Sequence, residues 1–370
     1  MPKAEPVFVF LEIFACEGGI QSYVKDLFEA YLQLDQPAEV FLLRDKVGTP
    51  NPYETEKCQF HYLQTVPTWQ GRLKLTWALF TRLLLRRPRH VYCGHIKLAV
   101  LIKTLCQPLG IPYTVLTYGK EVWSRLPDNQ RQALQQADRI WTISRYSRDR
   151  LCAANDILVD RVEILPCVVD GDIFSPGKKP VELIAKYGLQ DAKILMTVAR
   201  LWSGDIYKGV DVTIRALPKI LSVFPTVKYL VIGRGDDRPR LEKLAQDLGV
   251  SDRVIFAGFI PTEALRDHYR LADAYIMPSQ EGFGIVYLEA MACGKPVLSG
   301  DDDGSADPLQ DGNLGWRVPH RDPEAVADAC LEILQGEDSC CYGDRLRHET
   351  LAKFGKEALK IKLQQLLNIK

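Results

Sequence analysis

Short apolar segments alternate with longer amphipathic segments along almost the whole chain. Apolar residues recur at helical spacing between most of the short segments, and the short segments themselves have the length of buried strands. In the first half of the chain these predicted strands are residues 7–14, 38–44, 90–94, 113–119, 140–144 and 162–167. Alternating strands and helices predict a parallel sheet that is covered by helices on both faces.

The alternation stops at residues 167–182, which are rich in glycine, proline and aspartate and show no periodicity. Such a composition predicts a linker between domains. The alternation then resumes, with predicted strands at residues 194–200, 227–233, 254–260, 274–279 and 296–300. We therefore expect an α/β protein of two facing Rossmann-like, doubly wound domains, with ligands bound in an interdomain cleft at the carboxyl ends of the strands.

Composition limits the classes of protein that the chain can belong to. Its 370 residues suit two domains better than one, and its formal net charge of zero points to no particular partner, nucleic acid included. The ten cysteines contain no Cys-x-x-Cys pair, which favours reduced thiols in a cytoplasmic protein. No apolar stretch reaches the roughly 18 residues needed to span a bilayer.

One region departs from this neutral balance. Between Glu56 and Glu121 there is no acidic residue, while ten lysines and arginines occur, most densely in residues 71–90. Within that segment four apolar residues recur at helical spacing: Leu73, Trp77, Phe80 and Leu84. Such a basic amphipathic helix can lie on an anionic membrane surface. The alternative is a helix that packs on the core and exposes a solvated basic face.

The segment PSQEGFGIVYLEAMACGKPV (278–297) places a glycine-rich turn between two glutamates. Residues 282–284 lie between a predicted strand and a predicted helix, and a helix start favours phosphate through its unpaired N–H groups and its dipole. Glu281 precedes this helix and Glu289 lies about one and a half turns inside it. Each can accept hydrogen bonds from hydroxyls on one side of the phosphate, from a sugar and from a ribose. The alternative is two unrelated glutamates.

Two cations lie at the end of a neighbouring predicted strand. Arg200 ends that strand, and Lys208 opens a helix after a polar loop. Together they suit a pyrophosphate, because arginine offers a two-pronged donor and lysine a point charge. An ordinary surface cation is the better explanation of either residue alone. The run of acids at 301–303 is more typical of a solvated loop than of a metal site.

Three other segments carry weaker signals. Gly18 and Gly19 join the first strand to an amphipathic helix, where an anion or acceptor can approach the backbone, although such pairs also serve tight turns. Glu121 lies in a polar, aromatic loop that suits binding and packing equally. Gly233 begins a Gly-x-Gly in which Arg238 replaces the third glycine, so no nicotinamide site is expected.

With these segments in view, the chain resembles the retaining family 4 glycosyltransferases (group 1 glycosyltransferases), which have the GT-B fold. The similarity covers most of the chain, and its most specific element is the Glu-x7-Glu pair of Glu281 and Glu289. Other matching segments are GGIQSYV, TYGKEVW, ADRIWTISRYS, ILPCVVDGDIFSP, VIGRG, AGFIP and DGNLGWRVP.

The resemblance implies a division between two domains. Residues 1–168 with about 352–370 would form an N-terminal domain that binds the acceptor. Residues 169–351 would form a C-terminal domain that binds a nucleotide-sugar donor.

The resemblance also implies roles for single residues. Arg200 and Lys208 would hold the donor diphosphate and stabilise the departing nucleotide without a metal or other cofactor. Glu281 would bind the transferred sugar and Glu289 the ribose. Further donor contacts would come from Gly18, Gly19, Gly233, Phe259, Ile260, Gly282, Phe283 and Gly284.

On the acceptor or sugar side the chain departs from its relatives. Many of them have a histidine where this chain has Tyr118, which leaves open the residue that positions the sugar or moves a proton. His95 and Glu121 are the other candidates, although a lone histidine at a strand end is more often structural.

The reaction implied is transfer of a hexose from a nucleoside-diphosphate sugar to an acceptor hydroxyl with retention, with UDP favoured over GDP. The basic N-terminal region favours a lipid-linked acceptor, and a place at the inner face of a membrane, in polysaccharide or glycolipid synthesis. Two alternatives remain: a glycoside hydrolase that uses Glu281 and Glu289, and a non-catalytic nucleotide-binding protein of the same fold.

Overall fold

The computed structural model describes residues 5–16 and 18–368, which form two compact units. The chain passes from the first unit to the second after Cys167 and returns to the first unit after Gly355. The outermost residues of the predicted N-terminal domain, 1–4 and 369–370, lie outside the described residues.

The first unit is built on a seven-stranded sheet. Its elements are β1 (Val7–Phe10), α1 (Gly19–Leu32), β2 (Ala38–Leu42), β3 (Cys58–Tyr62), α2 (Thr68–Leu85), β4 (Val91–Cys93), α3 (Ile96–Cys106), β5 (Tyr113–Leu116), α4 (Asp128–Gln135), β6 (Arg139–Thr142), α5 (Arg145–Asn155) and β7 (Val162–Ile164). The strands pair in the order β3-β2-β1-β4-β5-β6-β7, and every pair is parallel.

The second unit is built on a six-stranded sheet. Its elements are α6 (Val181–Tyr187), β8 (Ile194–Val198), α7 (Val210–Val223), β9 (Lys228–Ile232), α8 (Arg238–Asp247), β10 (Val254–Gly258), α9 (Thr262–Leu271), β11 (Ala274–Met277), α10 (Ile285–Ala292), β12 (Val297–Gly300), β13 (Trp316–Val318), α11 (Pro323–Gln335) and α12 (Gly343–Phe354). The order is β10-β9-β8-β11-β12-β13, again with all pairs parallel. A last helix, α13 (Lys356–Leu366), packs against α1 in the first unit.

Each unit has its own hydrophobic core. Val9 and Val115 on the strands and Leu79 on α2 are fully buried in the first core, as are Leu195 and Ile276 in the second. The central strands are mainly apolar because helices cover both faces of a parallel sheet, which leaves little solvated surface for polar side chains. The predicted α/β fold class with two Rossmann-like domains is confirmed.

Two strands, β3 and β13, were not predicted. Both lie at an edge of their sheet, and β13 has only one fully buried residue, Val318. In β3 the buried Cys58 and Phe60 alternate with the exposed Gln59. Edge strands expose part of their surface, so neither segment has the continuous apolar run by which the central strands were recognised.

The predicted linker has no helix or strand between residues 168 and 180, yet side chains tie it to the second unit. Phe174 is buried, and the Arg347 guanidinium donates to the carbonyl oxygens of Gly171 and Phe174, both at 2.8 Å. These contacts explain why Val168 and the residues after it belong to the second unit.

Gly233, directly after β9, tests how tightly the loop after β9 packs against the loop after β8. Gly233 has φ of +140°, and a Cβ there would overlap the carbonyl oxygen of Ala199. We expect Gly233→Ala to lower the free energy of unfolding of the second unit by about 3 kcal/mol, from backbone strain and overlap together. Denaturant titration followed by far-UV circular dichroism measures the loss.

Gly249→Ala is the matched control, because Gly249 also has positive φ, +68°, but no atom lies within 4 Å of the added Cβ. Its expected cost is about 1 kcal/mol, from the backbone alone. Equal losses in the two variants would show that the overlap with Ala199 does not matter.

Candidate active site

The candidate site lies where the strand order of the second sheet reverses. β8 comes first in this unit, and its two neighbours, β9 and β11, carry the chain away in opposite directions. The loop after β8 carries Arg200 and Lys208, and the loop after β11 carries Glu281. Parallel strands end at one edge of the sheet, and ligands of open α/β sheets bind at such a reversal point.

Lys208 and Glu281 meet directly at this edge. The Lys208 ammonium donates to a carboxylate oxygen of Glu281, and only 20% and 17% of the two side chains are exposed. Lys208 ends a short 3-10 turn, Ser203–Lys208, that leads into α7. The two residues that the sequence assigned to adjacent parts of one ligand are therefore in contact.

Arg200 is held beside them by two residues that the sequence did not single out. Its Nε donates to the buried Asp205 carboxylate at 2.5 Å, and Tyr207 hydrogen bonds with both. The bond to Asp205 raises the pKa of Arg200, and burial raises the pKa of Tyr207. Arg200 and Lys208 line the same small cavity, while 66% of the Arg200 side chain stays exposed. A cation so placed can reach an anionic ligand from solvent.

The turn after β11 is fastened by the loop after β12. The backbone N–H of Glu281 donates to Asp303 at 2.8 Å, and the N–H of Gly304 donates to the Glu281 carbonyl at 2.8 Å. Asp303 also accepts from the N–H of Ser305 at 2.9 Å, and burial raises its pKa to about 6. Asp301 and Asp302 are exposed, so the prediction of a solvated loop is wrong for Asp303 alone.

The glycine turn itself presents backbone to solvent. Gly282 and Gly284 are half-buried, whereas the Phe283 ring is buried against Phe354, with ring centroids 5.6 Å apart. Gly284 has φ of +91° and caps α10, a conformation that favours glycine. Phe283 can therefore contribute only its backbone to a ligand; that the turn binds one stays a prediction.

Glu289 lies on α10 and is half-buried. The hydroxyl of the buried Tyr269 donates to its carboxylate at 2.6 Å. Burial raises the pKa of Glu289 to about 7, and the Tyr269 hydrogen bond opposes this shift. Like Asp205 and Tyr207, Tyr269 has no local sequence signal, since its hydroxyl reaches Glu289 only through the packing of α9 on α10.

The loops after β9 and β10 form an exposed platform. The Arg234 guanidinium lies 4.8 Å from the centre of the Phe259 ring, 54% of which is exposed, and Ile260 beside it is half-buried. Arg234 and Trp202 line an open groove of about 650 Å³. An exposed ring with a cation over it is a surface on which a flat heterocycle can stack.

In the first unit, the acceptor-side candidates have structural partners. The Tyr118 hydroxyl donates to the carbonyl of Gly94 at 2.8 Å, and the Tyr118 N–H donates to Glu121, whose pKa is raised by burial. His95 caps α3, where its Nδ1 accepts from the N–H of Lys97 at 3.1 Å. Burial lowers the pKa of His95 to about 4, so its imidazole is neutral near pH 7.

Gly18 and Gly19 lie at the start of α1 and are both exposed. No side chain caps this helix start, so its first N–H groups have no side-chain acceptor in the described part of the chain. The predicted approach of a ligand to this backbone stays a prediction.

Among residues 5–16 and 18–368, no group of three or more histidine, cysteine, aspartate or glutamate side chains is arranged to hold a metal ion. That no metal is needed remains a prediction, resting on the two cations. No helix in the described part of the chain is both long and apolar enough to cross a membrane. All ten cysteines are unpaired.

Models of two protein families match the chain. The family described as "Glycosyl transferases group 1" matches residues 182–360, and the "Glycosyl transferase 4-like domain" matches residues 18–167. A GDP-mannose-dependent alpha-(1-6)-phosphatidylinositol monomannoside mannosyltransferase of Mycolicibacterium smegmatis is 34% identical over 343 residues, which cover 86% of each chain. A D-inositol 3-phosphate glycosyltransferase of Acidothermus cellulolyticus is 32% identical over 226 residues, 56% of this chain and 50% of that protein.

Two solved structures share the fold along almost the whole chain. Sucrose-phosphate synthase of Thermosynechococcus elongatus matches with a TM-score of 0.78 at 22% identity, covering 98% of each chain. Anabaena Alr3699/HepE in complex with UDP matches with a TM-score of 0.79 at 17% identity, covering 98% of this chain and 99% of that one. At these identities the likeness concerns the fold alone.

The raised pKa of Glu289 makes stability depend on pH. Between its ordinary value of 4.5 and about 7 the folded chain keeps a proton that the unfolded chain loses, so the contribution of this group to stability falls as pH rises. In wild type this proton should make the free energy of unfolding fall by on the order of 2 kcal/mol across this interval, and we expect Glu289→Gln to abolish that fall. Urea titrations at several pH values between 4.5 and 7 measure it.

The exposed carboxylate of Glu263 on α9 provides the matched control. Glu263→Gln should leave the slope of stability against pH unchanged. If Glu289→Gln and wild type showed the same slope, the pKa of Glu289 would be the same in the folded and the unfolded chain.

Proposed function

The chain belongs to the group 1 family of glycosyl transferases, and we propose that it moves a hexose from a nucleoside-diphosphate sugar to a hydroxyl of a lipid-linked acceptor, with retention at the anomeric carbon. The observation that carries this proposal is the contact of Lys208 with Glu281 beside Arg200, at the reversal point of the second sheet. It joins a cation suited to a diphosphate with a carboxylate suited to sugar hydroxyls.

In this proposal the donor rearranges the contact. The diphosphate takes the Lys208 ammonium as its counter-ion, and the Glu281 carboxylate becomes free to accept hydrogen bonds from the sugar. Arg200, which is mostly exposed, adds a second cation. Negative charge grows on the diphosphate as the donor bond breaks, so fixed cations favour the transition state over the ground state.

The bond changes follow from this charge distribution. The bond from the anomeric carbon to the diphosphate oxygen breaks, and a bond to the acceptor oxygen forms on the same face of the sugar. The proton of the acceptor hydroxyl passes to the departing diphosphate oxygen. No protein carboxylate needs to act as nucleophile, so Glu281 and Glu289 serve in binding.

The contacts that Glu281 and Glu289 make within the protein argue against a glycoside hydrolase. Such an enzyme needs an acid and a second carboxylate that flank one glycosidic bond. Here Glu281 contacts Lys208, while the Glu289 carboxylate accepts a hydrogen bond from the buried Tyr269 hydroxyl. A hydrolase would also leave Arg200 without a task.

For the nucleotide we propose GDP ahead of UDP, with mannose as the sugar to test first. The earlier preference for UDP rested on no particular side chain. The M. smegmatis relative, 34% identical along most of the chain, carries the name of a GDP-mannose-dependent enzyme. The UDP complex of HepE is only 17% identical and bears on the fold alone.

The lipid-linked acceptor is supported by helix α2. Its buried residues Leu75, Leu79 and Leu83 face the core of the first unit. The four apolar residues that the sequence singled out are exposed, so the core-packing alternative does not hold for them: Leu73 59%, Trp77 68%, Phe80 41% and Leu84 56%. Together with the exposed Trp69 we call them the apolar face of α2. Exposed lysines and arginines accompany this face, as expected of a helix that lies on an anionic bilayer.

Loss of Lys208 tests the donor site. Thermal unfolding with GDP, UDP, ADP and their sugars first identifies the donor, which stabilises the fold by mass action. With that donor, Lys208→Ala should lower kcat by about 100-fold or more, because an interaction strongest in the transition state is lost. Lys219→Ala, which removes a half-buried lysine of α7 that pairs with Glu324 and Asp328, should leave kcat unchanged. Undiminished turnover in Lys208→Ala would refute the site assignment.

The apolar face of α2 is tested with vesicles. The double variant Trp77→Ser/Phe80→Ser should weaken sedimentation with phosphatidylglycerol vesicles by about tenfold or more, because two aromatic rings no longer enter the interface. Both residues are exposed, so the fold is kept. Leu158→Ser/Val159→Ser removes two exposed apolar residues elsewhere in the unit and serves as control. Equal binding by both double variants would rule out this face as the contact.

A further inference from the structure

A second concave site lies in the first unit. It is a cavity of about 880 Å³ at the carboxyl ends of β1, β2 and β3, beside α2 and α3. This volume is that of a small-molecule site. Leucines of the strand ends and of both helices form its apolar part: Leu11, Leu43, Leu75, Leu98 and Leu101.

Among the described residues, the lining of the cavity carries more positive than negative charge. Arg44, Arg72 and Lys97 line it, and Glu12 is the one carboxylate among the lining residues of 5–16 and 18–368. Glu12 pairs with Arg44 at 3.0 Å. The side chains of Arg72 and Lys97 form no ion pair with any residue among 5–16 and 18–368, so two cations face the cavity without a counter-ion from this part of the chain.

Neutral polar groups accompany these two cations. Thr68, Gln64 and Gln130, which carry a hydroxyl and two side-chain amides, also line the cavity. Paired cations attract a phosphate, and amides and hydroxyls hydrogen bond with the hydroxyls of a polyol or sugar. The wall therefore suits a phosphate ester of a polyhydroxy group better than an apolar ligand.

The cavity adjoins the apolar face of α2. Thr68, Arg72 and Thr76 line the cavity at intervals of four residues. The residue that follows each of them is an exposed apolar one: Trp69, Leu73 and Trp77. Successive helix residues differ by about 100° around the axis, so the apolar face lies next to the side of α2 that forms the cavity wall.

We propose that this cavity binds the phosphate-bearing headgroup of a lipid through Arg72 and Lys97, while the lipid chains lie along the apolar face of α2. The proposal rests on the proposed function, in which the acceptor is lipid-linked, and it names the acceptor class as an anionic phospholipid or a lipid built on one. A membrane-bound helix would then present the headgroup directly to the carboxyl ends of the first sheet.

The test compares two charge-matched double variants of the full chain. Arg72→Gln/Lys97→Gln removes the two unpaired cations of the cavity. Lys74→Gln/Arg86→Gln removes two exposed cations, one on α2 and one directly after it, that do not line the cavity. Thermal unfolding without ligand first establishes that both variants fold as wild type does.

Two ligands separate a headgroup site from general attraction to a charged surface. Soluble glycerol 1-phosphate should raise the Tm of wild type and of the Lys74/Arg86 variant but not of the Arg72/Lys97 variant. With phosphatidylglycerol vesicles, the Arg72/Lys97 variant should lose about tenfold more affinity than the Lys74/Arg86 variant. Inorganic phosphate and phosphatidylcholine vesicles are run in parallel, and both should give weaker effects.

The outcomes distinguish this proposal from the proposed function. The headgroup site would be overturned if glycerol 1-phosphate did not raise the Tm of wild type. It would also be overturned if both variants lost the same affinity for phosphatidylglycerol vesicles. If inorganic phosphate raised the Tm as much as glycerol 1-phosphate does, the cavity would be a site for free anions, and the proposal of a lipid ligand would be wrong. None of these assays contains a sugar donor, so headgroup binding in a chain that transfers no sugar would instead refute the proposed function.

Discussion

The parallel pairing of strands that are buried on both faces is the constraint on which both units depend. It fills the strands with apolar residues, and it brings the loops that follow them to a single edge. Polar residues that lie far apart in the sequence meet at that edge, as Lys208 and Glu281 do after β8 and β11. The chemistry of this chain is therefore carried by loops, and the sheets hold those loops in place.

Buried carboxylates fix the conformation of the loops that follow the strands of the second unit. Asp205 holds the guanidinium of Arg200, and Asp303 holds the backbone of Glu281, each from a buried position. Sequence reasoning did not single out Asp205 and predicted a solvated loop for Asp303, and both errors have the same reason. A carboxylate that stabilises a neighbouring loop has no local pattern, because its partner is fixed only by the tertiary fold.

Features with a local sequence pattern were predicted, and features that depend on tertiary contacts were not. Central strands, the two-unit organisation and the glycine turn at 282–284 have strong local signals, since apolar runs and helix starts are properties of consecutive residues. Edge strands such as β3, and the contact of Tyr269 with Glu289, depend on which surface is covered by another element. The cavity of the first unit combines residues from β1 to α4, and no spacing in the sequence reveals it.

Helix α2 has two apolar sides, of which the core covers only one. Leucines at 75, 79 and 83 bind it to the core, and the residues on its opposite side are too apolar to favour water. A single bulky side chain in water is common, but a contiguous aromatic and leucine face beside arginines has a cost that only a second surface can offset. In the proposed function, a bilayer supplies both the apolar interior and the anionic headgroups that suit this face. On that proposal the absence of acidic residues from 57 to 120 has a physical reason, because a carboxylate there would be repelled by the same headgroups.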